Sequence, residues 1–121
     1  MREVLIDTSV WCAHFRKAQP PLLAMLENGL VVSHEFIVGE LALSMSAEHL
    51  GVLEDIADMG FLPTVTLHEY MQFVTNYRIA GRRIGFVDTH LLASCKLSDA
   101  GLWTLDTHLR AAAKDCDIPI F

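Results

Sequence analysis

The chain has 121 residues, of which 52% are hydrophobic and 20% are charged, and this composition excludes a disordered polypeptide. No apolar run approaches the roughly 20 residues of a membrane helix, and the N-terminus lacks the basic and then apolar layout of a secretory signal. We therefore predict one globular domain over residues 1–121, located in the cytoplasm. The net charge of −6 argues at first against a polyanionic partner.

The cysteine and histidine patterns exclude two further classes of protein. The three cysteines, Cys12, Cys95 and Cys116, form no C-x-x-C pair, so buried reduced thiols are expected rather than disulfides or a zinc ribbon. The six histidines include no H-E-x-x-H pattern, which argues against a catalytic zinc helix.

In the first half of the chain, short apolar runs rich in β-branched residues predict strands, and apolar residues at helical spacing predict helices. In chain order, we predict a strand over 2–6, a helix from Ser9 to about Lys17, a break at Pro20 and Pro21, a helix through Glu27, a turn at Asn28 and Gly29, a strand over 30–32, a helix with Ser33 as its N-cap, and a helix that Ser46 caps and Gly60 ends.

The second half continues the alternation. In chain order, we predict a strand region over 61–67, a helix that opens with the capping box of Thr66 and Glu69 and breaks at Ala80 and Gly81, a helix that Asp88 opens and Gly101 closes, a strand over 102–105, a helix that Asp106 opens, and a final strand or tail over 118–121.

Short apolar strands that alternate with helices predict a parallel sheet covered by helices on both faces, a three-layer α/β/α sandwich with right-handed crossovers. In open sheets of this kind, ligands bind outside the carboxyl ends of the strands. Asp7 and Asp106 each follow a predicted strand directly, so we expect both at this edge.

An apolar residue followed by Asp-Thr occurs three times, at Asp7, Asp88 and Asp106, each near the start of a predicted helix. Helix capping explains any one of them, because Asp is among the best N-caps and its charge suits the positive end of a helix. The alternative is a shared site. Asp7 and Asp106 project from one strand edge, and the helix that Asp88 opens leads into the strand before Asp106.

Glu40 is a fourth acid in an apolar setting. It shares a helix face with Phe36 and Leu43 and has no Lys or Arg within one helical turn. An ionised carboxylate in such a place either becomes protonated and hydrogen-bonded or finds a cation. Four hard oxygen donors suit Mg²⁺ or Mn²⁺, which bind through carboxylates and substrate phosphate oxygens and serve phosphodiester chemistry.

The segments VLIDTSVW, HEFIVGEL, GFVDTHLLAS and LWTLDTHL, in this order and spacing, resemble the four acidic motifs of PIN-domain ribonucleases, and most of all VapC-type toxins of bacterial toxin–antitoxin pairs. The resemblance spans residues 3 to about 120. It implies a five-stranded parallel sheet, divalent-metal-dependent RNA cleavage that arrests growth by attacking RNA of the translation machinery, a homodimer, and a small VapB-like antitoxin that blocks the site.

The resemblance also implies roles for individual residues. The metal-binding carboxylates would be Asp7, Glu40, Asp88 and Asp106. Hydroxyls that orient these acids or the metal waters would come from Thr8, Ser9 and Thr104. His90 departs from the pattern, because such proteins usually have a small or apolar residue there.

Arg78, Arg82 and Arg83 cluster shortly before Asp88 and are either solvated loop residues or RNA phosphate contacts. Setting aside the four proposed ligands leaves eleven acidic residues against nine basic ones, so the remaining surface is only slightly negative. Bound Mg²⁺ would offset the charge of the ligands themselves.

Two other functions remain as alternatives. A PIN-like domain could bind RNA without cleaving it, although all four acids are present. A receiver-like signalling module would normally need an acidic pair after its first strand and a lysine near its last strand, and the chain offers neither. A phosphatase of the D-x-D type is excluded because Ser9 stands two residues after Asp7.

Overall fold

The computed structural model of the protein describes residues 2–121. Over these residues the chain forms three strands and seven α-helices. The strands are β1 (Val4–Ile6), β2 (Val31–Val32) and β3 (Gly101–Trp103). The helices are α1 (Thr8–Arg16), α2 (Pro20–Glu27), α3 (Glu35–Ser44), α4 (Leu50–Ala57), α5 (Leu67–Asn76), α6 (Phe86–Ser98) and α7 (Thr107–Asp115), and a short 3₁₀ turn (Ala47–His49) precedes α4.

The three strands form a parallel sheet in the order β2-β1-β3, with β1 in the centre. Leu5 lies opposite Val32 on one side and Leu102 on the other. Leu5 and Ile6 are both fully buried. Because successive strand residues point to opposite faces, their burial means that helices cover the sheet on both sides. The predicted α/β class with a covered parallel sheet is confirmed.

The sheet has fewer full strands than the expected five. The fourth and fifth positions are single parallel bridges, which pair Ser33 with Phe61 and Leu102 with Ile120. At the second edge, the N–H of Phe121 donates to the carbonyl of Leu102 at 3.0 Å. Two residues earlier stands Pro119, which has no N–H to continue the ladder. The outer strands therefore contribute one pairing each.

Two of the predicted helix starts are confirmed. Thr66 and Glu69 form a complete capping box, in which the Thr66 hydroxyl accepts from the Glu69 N–H and the Glu69 carboxylate accepts from the Thr66 N–H. Asp106 is the N-cap of α7 and its carboxylate accepts from the N–H groups of His108 and Leu109.

Three other helix starts differ from the prediction. Ser46 precedes the 3₁₀ turn rather than α4, whose N-cap is His49. The N-cap of α3 is His34, not Ser33, because Ser33 still belongs to the sheet: its N–H donates to the carbonyl of Gly60 at 2.8 Å. Helix α6 begins at Phe86 with Gly85 as its N-cap, so Asp88 is the third helical residue rather than the first. The helix starts earlier because the Gly85 carbonyl already accepts from the Thr89 N–H.

All three cysteines are free, and Cys95 and Cys116 are buried as predicted, while Cys12 is partly exposed. Burial raises the pKa of the Cys95 thiol to about 12, so this side chain is an inert member of the core. Along residues 2–121, the helices are too short or too polar to cross a membrane.

Candidate active site

The four predicted acids lie on four different elements near the carboxyl ends of β1 and β3. Asp7 follows β1 directly, and Asp106 follows β3 after a two-residue turn. Glu40 lies midway along α3, and Asp88 lies in the first turn of α6. Parallel strands and the helices that follow them bring such residues to one edge of the sheet, where α/β proteins bind their ligands.

Asp7 is a buried carboxylate that two hydroxyl groups hold in place. Its side chain is only 6% exposed. Its Oδ2 accepts hydrogen bonds from Ser9 Oγ at 2.8 Å and from Thr104 Oγ1 at 2.7 Å. Asp7 occupies the N-cap position of α1 but makes no capping hydrogen bond. Capping therefore does not explain this aspartate, and its orientation is set by side chains from α1 and from the end of β3.

Glu40 is tied to α1 by a hydrogen bond across 32 residues of sequence. Thr8 Oγ1 donates to Glu40 Oε1 at 3.0 Å. Thr8 is the first residue of α1 and follows Asp7 directly. The bond thus fixes the Glu40 side chain next to the segment that carries Asp7.

Asp106 joins the site through Thr104. The Thr104 hydroxyl, which donates to Asp7, also accepts from the N–H of Asp106 at 3.0 Å. Ser9 completes this connection, because its oxygen accepts from the N–H of Leu105 at 3.0 Å. Asp106 therefore has two functions in the fold: it caps α7 with Oδ1 and it is held close to Asp7.

The negative charges of the other three acids change the pKa of Asp88. Burial of its carboxyl, together with the negative charges of Asp7, Glu40 and Asp106, raises its pKa from an ordinary 3.8 to about 6. Like charges disfavour the ionised form when they are near, so Asp88 lies within electrostatic reach of the other three acids.

The site carries negative charge that no basic side chain neutralises. Over residues 2–121, the two ion pairs join Arg2 to Asp99 and Arg82 to Asp115, and neither involves a predicted ligand. Within the same range, no group of three Asp, Glu, His or Cys side chains is close enough to form a ready-made set of metal ligands. Over the described chain the acids therefore influence one another through their charges and do not form a ready-made metal site.

The donor set fits a divalent cation. Hydrogen bonds from residues 2–121 engage one oxygen each of Asp7, Glu40 and Asp106, and neither oxygen of Asp88. Each acid therefore keeps a free oxygen for a ligand. Hard carboxylate oxygens with uncompensated charge are the donors that Mg²⁺ and Mn²⁺ prefer.

The three arginines of the predicted cluster have different surroundings. Arg82 Nη2 lies 2.8 Å from Asp115 Oδ2, near the end of α7. Arg78 and Arg83 are exposed and both have positive φ, at 53° and 61°, because they lie in the turns between α5 and α6. These two side chains are free of ion pairs over the described chain.

Two buried histidines lie next to this site: His90, which departs from the motif pattern, and His34, which no sequence motif singled out. His34 is fully buried and hydrogen-bonded through both ring nitrogens. His90 is 5% exposed and packs against the rings of Phe36, Tyr70 and Phe86, with centroid distances of 5.0, 4.5 and 4.6 Å. The aromatic neighbours come from α3, α5 and α6. His90 therefore fills an aromatic cluster formed by three helices.

Together, the covered parallel sheet and the acidic residues on the elements at the ends of its strands define an α/β protein with an acidic candidate site. No family model matches the chain. It is, however, 36% identical over 118 residues to ribonuclease VapC32 of Mycobacterium tuberculosis, in strains CDC 1551 / Oshkosh and ATCC 25618 / H37Rv, and the match covers 97% of this chain and 95% of that protein. The chain belongs to the VapC family of PIN-domain proteins, as its four motifs predicted.

Solved structures share the fold of this chain. The chain resembles FitAB bound to the IR36 DNA fragment with a TM-score of 0.70 and 19% identity, over 98% of this chain and 93% of that one. FitAcB from Neisseria gonorrhoeae gives a TM-score of 0.64 and 22% identity over 98% and 96% of the two chains. PAE2754 from Pyrobaculum aerophilum gives 0.61 and 17% over 98% and 89%. At these identities the likeness concerns the fold alone.

Proposed function

We propose that the protein is a divalent-metal-dependent endoribonuclease that acts in the cytoplasm as the toxin of a toxin–antitoxin pair. The observation that carries this proposal is the identity of 36%, over nearly the whole chain, with a protein named as a ribonuclease. The convergence of four acids at the ligand-binding edge of the sheet supports it, because a site of this kind suits phosphodiester hydrolysis.

Asp7, Glu40, Asp88 and Asp106 would hold Mg²⁺ or Mn²⁺. The bound cation would lower the pKa of a water molecule and neutralise charge on the RNA phosphate. The protein supplies the orientation of its own acids. Ser9 and Thr104 hold Asp7, and Thr8 holds Glu40, so these carboxylates do not have to be ordered when the ligand arrives.

Arg78 and Arg83 are the basic residues that we propose for RNA phosphate contact. Both are exposed in the turns that lead to Asp88, and neither is engaged by an acid of the described chain. Arg82 is a weaker candidate, because a phosphate would have to compete with Asp115 at 2.8 Å. Phosphate contacts of this type position the nucleic acid without reading its sequence.

We propose that the antitoxin binds in a groove beside α1. A groove of about 340 Å³ lies between α1 and the end of α3, lined by the apolar side chains of Cys12, Phe15 and Met45 and also by Arg16 and His49. Such a groove would take an apolar side chain of a VapB-like partner, with an acidic residue next to Arg16.

A homodimer has a candidate surface on α5 and α6. Leu67, Met71 and Phe86 are 71%, 57% and 59% exposed, and Tyr70 packs against the Phe86 ring at 5.3 Å. Leu67, Tyr70 and Met71 share one helix face, so these residues form a continuous apolar patch. We propose that this patch pairs with its copy in a second subunit.

Cleavage of RNA by purified wild-type protein and by Asp7→Asn tests the nuclease proposal. The wild type should cleave RNA in Mg²⁺ and lose this activity in EDTA. Asp7→Asn should fold, because an amide oxygen can still accept from Ser9 and Thr104, and should be at least a hundredfold slower, by the scale of lost transition-state electrostatics. The control is Asp55→Asn, which removes an exposed acid from α4.

Binding of RNA without cleavage by the wild type would instead favour the RNA-binding alternative. Equal activity of wild type and Asp7→Asn would contradict the assignment of the site.

The toxin role is tested by expression in a bacterium that lacks a cognate antitoxin. Wild-type protein should arrest growth. Glu40→Gln, which keeps an oxygen for the Thr8 hydrogen bond, should not arrest growth at the same protein level in an immunoblot. Normal growth with the wild type, or arrest by both proteins, would contradict the proposal.

A further inference from the structure

His34 lies at the junction of the sheet and α3 and is buried completely. Its Nδ1 accepts a hydrogen bond from the N–H of Phe36 at 3.0 Å, which makes His34 the N-cap of α3. Its other ring nitrogen, Nε2, lies 3.1 Å from Ser94 Oγ on α6. One side chain therefore caps the helix that carries Glu40 and reaches the helix that carries Asp88.

The direction of each hydrogen bond follows from the network. Ser94 Oγ donates its single proton to the carbonyl of Pro63 at 2.8 Å. The Ser94 oxygen must therefore accept from His34, which places the histidine proton on Nε2 and leaves Nδ1 as the acceptor for Phe36. Burial lowers the pKa of His34, in keeping with a neutral ring. Both nitrogens and the serine hydroxyl are fully used.

The bridge lies at the same sequence distance from both acids. Glu40 follows His34 by six residues on α3, and Asp88 precedes Ser94 by six residues on α6. The carboxylates of these helices repel each other, and a buried hydrogen bond between the helices opposes their separation.

We propose that His34 and Ser94 are positioning residues that set the spacing of Glu40 and Asp88 for a divalent cation. This inference rests on the proposed metal-dependent function. Neither residue touches the cation or the RNA. Their effect is on the arrangement of two ligands, through the spacing of the helices that carry them.

Two substitutions of His34 separate capping from bridging. In His34→Asn, the amide oxygen takes the position of Nδ1 and Asn is a good N-cap, but the side chain is too short for Ser94. In His34→Gln, the longer amide can take the position of Nε2 and donate to Ser94, while the cap is lost. The matched pair of serine variants is Ser94→Ala, which breaks the bridge, and Ser33→Ala, which removes a buried hydroxyl that has no hydrogen-bond partner over residues 2–121.

The measurement is a Mg²⁺ titration of each variant, followed both by the rise in melting temperature and by RNA cleavage. We expect His34→Asn and Ser94→Ala to raise the Mg²⁺ midpoint on the order of tenfold in both assays. His34→Gln and Ser33→Ala should keep the wild-type midpoint, whatever their melting temperature without metal.

Unchanged midpoints in His34→Asn and Ser94→Ala, with a normal response of the wild type, would overturn the positioning role and leave the nuclease proposal intact. The same holds if all four variants shift equally, since that outcome reflects general destabilisation. A wild type whose melting temperature does not respond to Mg²⁺ would overturn both proposals.

Discussion

At Asp88, burial and three neighbouring carboxylates act in the same direction and raise the pKa to about 6. At neutral pH the carboxyl is still mainly ionised, but its ionisation costs more free energy in the folded protein than in the unfolded chain, although the first turn of a helix normally favours a negative charge. In the unfolded chain the same carboxyl is free of this penalty. The residue thus weakens the metal-free fold, as expected if the proposed cation is what compensates its charge.

Asp88→Asn should stabilise the metal-free protein at pH 7.5. The shift of the Asp88 pKa from 3.8 to about 6 corresponds to a free-energy penalty of about 3 kcal/mol without screening. Because solvent screens this half-buried carboxyl, the expected gain in the free energy of unfolding is about 1 kcal/mol. Urea unfolding in EDTA measures it. Asp55→Asn, which changes the charge equally on an exposed surface, should stay within about 0.5 kcal/mol of the wild type. A loss of stability in Asp88→Asn would refute this account.

The pH dependence of stability should differ between wild type and Asp88→Asn. Burial lowers the pKa values of His34 and His90 from 6.5. The contribution of these neutral rings to the free energy of unfolding is therefore complete above pH 6.5, and it is lost as the pH falls toward their folded-state pKa values. Asp88 acts oppositely, because its penalty disappears as the pH falls from about 6 to 3.8.

The two effects partly cancel in the wild type. The free energy of unfolding, measured in EDTA from pH 7.5 to 5, should therefore fall more steeply in Asp88→Asn. Parallel curves for the two proteins would show that the Asp88 carboxyl is not perturbed.

At the scale of elements, the three Asp-Thr repeats serve three different helix starts. Asp106 caps α7 through its side chain, Asp7 occupies a cap position without a capping bond, and Asp88 lies inside α6. Capping and a shared site are the two interpretations of these repeats. At Asp106 the two are compatible, since one carboxylate oxygen caps α7 while the backbone N–H donates to Thr104, which holds Asp7.

Two substitutions of Asp106 should separate its capping from its proposed metal binding. Asp106→Asn should keep the stability of the metal-free protein within a few tenths of a kcal/mol, because Asn caps as well as Asp, whereas Asp106→Ala should lose about 1 kcal/mol. Both should need more Mg²⁺ than the wild type for the same rise in melting temperature. If Asn retained the wild-type Mg²⁺ response, Asp106 would be a cap alone.

At the scale of the whole molecule, the site connects parts of the chain that are far apart in sequence. Asp7 is held by Thr104 across 97 residues, and Glu40 is held by Thr8 across 32. A cation that binds this arrangement binds only the folded state, so it must stabilise the entire fold.

Mg²⁺ should therefore raise the melting temperature of the wild type. At ten times the dissociation constant the expected gain is about 1.4 kcal/mol, which corresponds to roughly 5 °C for a chain of this size. Differential scanning fluorimetry with and without Mg²⁺, in buffer free of Ca²⁺, measures this shift. The same measurement on Asp7→Asn is the control. An equal rise in wild type and Asp7→Asn would place the cation elsewhere.

The sequence by itself determined the order of strands and helices, the capping box of α5 and the four acidic motifs. These features depend on residues close together in the chain: the spacing of apolar side chains, an Asp after an apolar run, a Thr three residues before a Glu. The α/β class followed because alternating strands and helices have few ways to bury their apolar faces.

Only the tertiary structure decided which neighbour performs each local task. Ser33 is a better N-cap by type than His34, but pairing with residues 60–62 holds Ser33 in the sheet. Arg82 forms an ion pair with Asp115, whereas the neighbouring arginines do not, and Pro119 shortens the outer strand. Each outcome depends on a partner about thirty or more residues away along the chain, or on a missing N–H at a particular register, and local sequence patterns do not contain that information.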